Sequence, residues 1–174
     1  MNDSALANRI TRLEDQLAIR ELCGRYSVAL DDHDFVTLGM LFAPQAVYGW
    51  VDSPAQAVGR DAVVDLLRRR VAPAGPSFHF NHDILIDWEQ TDSARATGTV
   101  SGHAEVCPSG VQLIGAIRYR DHYVKVESRW MFAQRLLSFL YFVPVDEYPG
   151  ILKLRERLHV GGAPQAAHWP SYAA

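Results

Sequence analysis

The chain has 174 residues, 48% of them hydrophobic and 21% charged. Seventeen basic residues against twenty acidic ones leave a formal net charge of −3, which excludes a disordered chain and offers no clustered basic excess for a nucleic-acid partner. A single domain of this length buries roughly 70% of its unfolded surface, so its core requires neither disulfides nor a structural metal.

From Ile10 the apolar residues recur at Leu13, Leu17, Leu22, Tyr26 and Leu30. These helical steps predict a first helix with its core stripe along them. Asp32, His33 and Asp34 interrupt it, and Asp34 is placed to cap a second, short helix carrying Phe35, Leu38, Leu41 and Phe42, which Pro44 stops. A brief strand is expected over Ala46 to Val51. Asp61 is then expected to cap a third helix bearing Val63, Val64, Leu66, Leu67 and Val71, which ends at Pro73-Ala74-Gly75-Pro76. Its basic run, Arg68-Arg69-Arg70, reads as a solvated helix face.

Beyond Phe78 the texture changes. Residues 78–88, 94–106, 111–126 and 129–143 are rich in β-branched and aromatic side chains and separated by short polar or turn-forming segments. Connections this short imply an antiparallel meander. Helices followed by strands describe an α+β fold, with helices on one face of a curved sheet and a concavity suited to a small molecule between the layers. Residues 1–143 are expected to form the domain. Residues 144–174 form a Gly- and Pro-punctuated tail, with a helical turn or two around 151–158, packing on the domain or on a neighbouring subunit. The apolar run Phe139 to Val143 suits burial against another subunit or across a pocket mouth.

No apolar run approaches the ~20 residues of a membrane span, and the polar start, Met1 to Arg9, lacks a secretory layout. The expected setting is cytoplasmic, with Cys23 and Cys107 as buried small hydrophobes. There is no Gly-rich phosphate loop and no nucleophile elbow. His79 and His82, three apart on a strand, point to opposite faces and cannot share one ion, so no metal is expected. Strand parity puts Phe80, His82, Ile84, Ile86 and Trp88 on one face. It puts His79, Asn81, Asp83, Leu85 and Asp87 on the other, which is either solvated or pocket-lining. Asp31, at the end of the first helix, is either a terminal capping carboxylate or a partner for that polar face.

The segment Ala18-Ile19-Arg20-Glu21-Leu22, then Tyr26, Leu30-Asp31, Phe35, Leu38, Leu41-Phe42-Ala43 and Tyr48, resembles the opening of the SnoaL-like branch of the NTF2-like superfamily. Phe78-His79-Phe80, Ala94-Arg95-Ala96, Gly115, Tyr119, Asp121-His122-Tyr123 and Trp130 continue the resemblance in order. Within that superfamily the chain looks most like the cofactor-free dehydratases and dehydrochlorinases. That resemblance implies a cone of curved antiparallel sheet closed by N-terminal helices. It also implies an Asp–His dyad at Asp31 and His79, with Tyr26 beside it, and Tyr48, Trp50, His103, Tyr119 and Arg135 as substrate-binding positions. Blander readings stand beside these: Tyr26 as core, Arg135 and His103 as outer-face residues.

The resulting expectation is a lyase, chiefly a dehydratase, acting on a small hydrophobic cyclic or aromatic compound, in a homodimer or homotrimer. An isomerase, polyketide cyclase or epoxide hydrolase of the same fold, or a non-catalytic binding or assembly module, is the alternative.

Overall fold

A computed structural model describes residues 3–51, 53–159 and 163–169. Its helices are α1 (Asp3–Asp31), α2 (Phe35–Leu41) and α3 (Arg60–Val71). Its strands are β1 (Phe42–Trp50), β2 (Ala57–Val58), β3 (Ser77–Trp88), β4 (Arg95–Val106), β5 (Leu113–Val126), β6 (Arg129–Pro144), β7 (Glu156–Leu158) and β8 (Gln165–Ala166). The sheet runs β2-β1-β6-β5-β4-β3. Strands β3 to β6 form the antiparallel meander, whereas β1 lies parallel to β6 with Tyr48 beside Arg135. The architecture is the α+β layer fold that the chain order implied.

Three local expectations need correction. The core stripe of α1 begins at Ile19 and continues through Leu22, Cys23, Tyr26 and Leu30, while Ile10, Leu13 and Leu17 are exposed. Residues 17 and 19 stand on opposite sides of a helix, so one apolar pattern held two faces. Helix α2 stops at Leu41, and Phe42 is already extended, because Pro44 biases the residue before it away from helical angles and β1 starts early. Helix α3 opens from Gly59, whose φ of 92° is a glycine conformation, not from Asp61. Asp61 sits in the first turn, where its charge complements the helix dipole. Asp34 does cap α2, accepting from the Thr37 N–H at 2.9 Å.

The parity of β3 changes along its length. Pairing with β4 is irregular between Asn81 and Ile84. His82 and Asp83 are both exposed there, and the extra residue switches the faces. His79 and Asn81 therefore face the helices, as do Ile84, Ile86 and Trp88 after the bulge. Asn81 ties the strand to α1, donating to the Cys23 carbonyl at 2.9 Å and the Ser27 hydroxyl at 3.0 Å.

The described part of the tail packs on its own chain. β7 runs beside β6 at Phe142 and Leu158, and the His168 N–H donates to the Phe139 carbonyl at 3.0 Å. Buried Arg157 donates to the carbonyls of Leu140 and Trp169. Cys23 is buried, Cys107 is half-buried, and neither is bonded to the other. Among the described residues no helix is long and apolar enough to cross a membrane.

Candidate active site

Asp31 is the last residue of α1 and His79 the third residue of β3. Packing of the helix end on the strand brings them together. Asp31 Oδ1 lies 2.6 Å from His79 Nδ1, and its Oδ2 accepts the His79 backbone N–H at 2.8 Å. The Ser77 hydroxyl adds a third bond at 2.9 Å. Burial alone would push the Asp31 carboxyl up, but the His79 ring and N–H and the Ser77 hydroxyl together hold it below its ordinary value. A carboxylate at a helix C-terminus opposes the helix dipole, so those donors are what keep it there. With Nδ1 directed at a carboxylate, the imidazole presents Nε2 as its basic nitrogen.

His79 lines a cavity of about 500 Å³ between the helices and the sheet. Its walls are mainly Leu30, Leu67, Val71, Ile117, Leu137, Phe139 and Phe142, with Tyr48, Trp50 and Tyr119 supplying polar edges. Of the residues singled out from sequence, His79, Tyr48, Trp50 and Tyr119 therefore meet at one cavity, with Asp31 directly behind His79.

Tyr26 and Arg135 sit one layer back. Tyr26 is fully buried, does not line the cavity, and reaches it only through its hydroxyl, which donates to the Tyr48 hydroxyl at 3.3 Å. Arg135 corrects the expectation of a substrate contact. It lies opposite Asp121 across β5 and β6 and donates to it twice, at 3.0 and 2.9 Å. Its guanidinium carbon is 4.3 Å from the Tyr26 ring, 3.9 Å from Tyr119 and 4.2 Å from Phe132. Burial opposes the guanidinium charge, yet Asp121 beside it keeps Arg135 well above its usual range. Burial pushes the Asp121 carboxyl up; Arg135 and the Tyr123 hydroxyl, 2.9 Å away, pull it back. Tyr123 comes this close to β4 because Gly98 has no side chain: a Cβ there would sit 2.7 Å from its ring. Burial also raises the Tyr26 and Tyr119 phenols, so both remain hydrogen-bond donors rather than bases.

His103 is a further correction. Inward positions on β4 are taken by Ala96, Val100 and Ala104, which turns His103 to the opposite face. There it bonds His82 at 2.7 Å and the Tyr141 hydroxyl at 3.0 Å, away from the cavity.

Two polar lining residues were missed from sequence, Arg70 and His159. Arg70, set aside as part of a solvated run, follows Val63 by seven residues and Leu67 by three, which places it on the buried stripe of α3. His159, held at 2.9 Å by Glu147, reaches the cavity because β7 pairs with β6. No local sequence pattern announces that pairing.

No curated protein is similar enough in sequence to count as a match. Among solved structures, one ascribed to a scytalone dehydratase of Novosphingobium aromaticivorans is 24% identical. It aligns over 89% of this chain and 99% of its own, with a TM-score of 0.72. The hexachlorocyclohexane dehydrochlorinase of Novosphingobium barchaimii is 17% identical over 80% of this chain and 95% of its own, also with a TM-score of 0.72. An NTF2-like protein with a cystatin-like fold, again from Novosphingobium aromaticivorans, is 27% identical over 80% of this chain and 90% of its own, with a TM-score of 0.65. Residues 11–136 match the SnoaL-like domain, a span that runs from the first third of α1 to the Arg135 layer of β6, and on that match the chain belongs to the SnoaL-like family of the NTF2-like superfamily.

Proposed function

We propose that the protein is a cofactor-independent lyase that eliminates water from a small, hydrophobic cyclic or aromatic compound. The observation that carries this reading is the 2.6 Å bond from Asp31 to a histidine on the wall of a mostly apolar cavity. His79 Nε2 removes a proton from a carbon next to a carbonyl. The electron pair moves onto the carbonyl oxygen, where the Tyr48 and Tyr119 hydroxyls are placed to donate to the developing negative charge. Asp31 and the C-terminal end of α1 favour the imidazolium that results. Collapse of the enolate expels the hydroxyl group one carbon further on, and the imidazolium returns its proton to that oxygen as it leaves. One new C=C bond and one water are formed, and His79 is regenerated. Departure of halide in place of hydroxide uses the same parts, as does a retro-aldol cleavage in which the breaking bond is carbon–carbon.

Scytalone dehydratase and hexachlorocyclohexane dehydrochlorinase, the neighbours in fold, are named for eliminations of these two kinds, which supports the lyase class. Asp121, whose place on a late strand matches the acid a cyclase would draw on, is committed to Arg135 behind the cavity wall and lends that reading no support. A panel of small cyclic β-hydroxy ketones tests the proposal, with product read from the absorbance of the conjugated ketone or phenol and the β-chloro analogues assayed for chloride. The folded His79→Ala protein is expected to lose about 10³-fold in turnover, within the range for removing a general acid–base. Full turnover in that variant, or deuterium uptake from heavy water with no leaving group released, overturns it.

A further inference from the structure

Arg68, Arg69 and Arg70 close α3, but they do different things. Arg68 pairs with Asp65 at 2.9 Å on the outside, and Arg69 is exposed. Arg70 turns inward and lines the cavity next to Leu67 and Val71. Its guanidinium carbon lies 5.1 Å from the Trp50 ring, and its Nη1 is buried with no hydrogen-bond partner. Among the described residues no carboxylate lines the cavity. Asp31 is taken up by His79 and Ser77, and Glu147 by His159.

Arg70 is half-buried, and an N–H of its guanidinium that is withdrawn from water needs a hydrogen-bond acceptor. The Trp50 ring supplies cation–π attraction, which satisfies none of the N–H groups. A ring engages a guanidinium through its face and leaves the in-plane donors for a carboxylate, the group their fork geometry fits. The missing partner is therefore in the ligand.

We propose that Arg70 is an anion anchor, and that the ligands of this cavity are small hydrophobic acids held by a carboxylate at Arg70. This rests on reading the cavity as the substrate site, and it narrows the substrate class to cyclic or aromatic carboxylates. Arg70 is a specificity residue; the chemistry stays with His79.

Calorimetric titration of the intact protein with 2-naphthoate and with its uncharged isostere 2-naphthamide tests the assignment. Wild type is expected to bind the carboxylate at least tenfold more tightly than the amide. The preference is expected to vanish in Arg70→Met, which keeps the apolar stem, to persist in part in Arg70→Lys, which keeps the charge, and to be unchanged in His79→Ala. Circular dichroism confirms that each variant is folded. Equal affinity for the two probes in wild type, no saturable binding of either at millimolar concentration, or a preference that survives Arg70→Met overturns the proposal. A preference abolished by His79→Ala but not by Arg70→Met also overturns it, by placing the anion at the imidazole. Neither probe reacts, so these outcomes are independent of turnover. A catalytic His79 with no carboxylate preference would remove this inference and leave the lyase reading in place.

Discussion

Two carboxylates in this fold each hold a basic partner, Asp31 with His79 and Asp121 with Arg135, and the two pairs are built to opposite ends. In Asp31–His79 the side chains keep 16% and 11% of their exposure, and the imidazole has one nitrogen bound and one on the cavity side. In Asp121–Arg135 both side chains are at 0%, two N–H donors are spent on the carboxylate, and three aromatic rings enclose the guanidinium. Similar chemistry thus leaves a ring nitrogen on the cavity side in one place and fastens two strands together in the other. What separates them is whether a polar atom remains within reach of something outside the fold.

If that distinction holds, cutting the sealed pair is the most damaging change. Arg135→Met leaves the Asp121 charge buried without its partner, and removing one member of such a pair costs about 3–5 kcal/mol. Urea unfolding is expected to show a loss of that size. The double variant Arg135→Met/Asp121→Leu is expected to recover much of it, because the stranded charge goes too. A loss below about 1 kcal/mol for the single variant, on the scale of an exposed pair, would mean that water reaches the site.

Cutting the open pair is expected to spare the fold and damage turnover. Asp31→Asn keeps an acceptor for the His79 N–H but removes the charge that favours the imidazolium. A drop of about 10²-fold in kcat, the lower end of acid–base contributions, is expected with little change in KM. A matching fall in stability and no change in kcat would make Asp31 a structural cap after all.

This contrast explains what could and could not be read from the sequence. Asp31 and His79 were legible because one ends a helix and the other opens a strand, and the family resemblance ties those two positions together. The partnership of Asp121 with Arg135 was not, since it depends on the register of β5 against β6, which alternation alone does not fix. His103 was misplaced for the same kind of reason: parity offers two faces, and only the small residues packed inward on β4 decide between them. The bulge after Asn81 defeated parity on β3. Arg70 was concealed by its neighbours, because a run of three arginines suggests solvent while helical spacing puts the third on the buried side.

Acid provides a finer probe of the open pair. The folded Asp31 carboxyl sits below its ordinary value of 3.8, so folding favours its ionised form. The stability it contributes is fully present above the unfolded pKa, near 4, and is lost as pH falls through the lower folded value. Thermal unfolding followed from pH 6 downward is expected to fall less steeply below about pH 4 in Asp31→Asn than in wild type. Parallel curves would show that the carboxylate gains nothing from His79 on folding.

Tyr26 lies against the sealed pair and reaches the cavity only through Tyr48, and its hydroxyl should matter least. Its ring packs on Arg135 and its hydroxyl donates to Tyr48, so Tyr26→Phe keeps the ring against the guanidinium and deletes only a long hydrogen bond of 3.3 Å. A neutral bond of this kind contributes about 0.5–1.5 kcal/mol, and the Tyr48 hydroxyl remains free to turn toward a ligand in the cavity. The stability loss is therefore expected to stay near 1 kcal/mol, and kcat to change by less than about tenfold. If kcat instead falls as far as in His79→Ala, proton movement runs through the Tyr26–Tyr48 hydroxyls, and the sealed layer takes part in the chemistry of the open one.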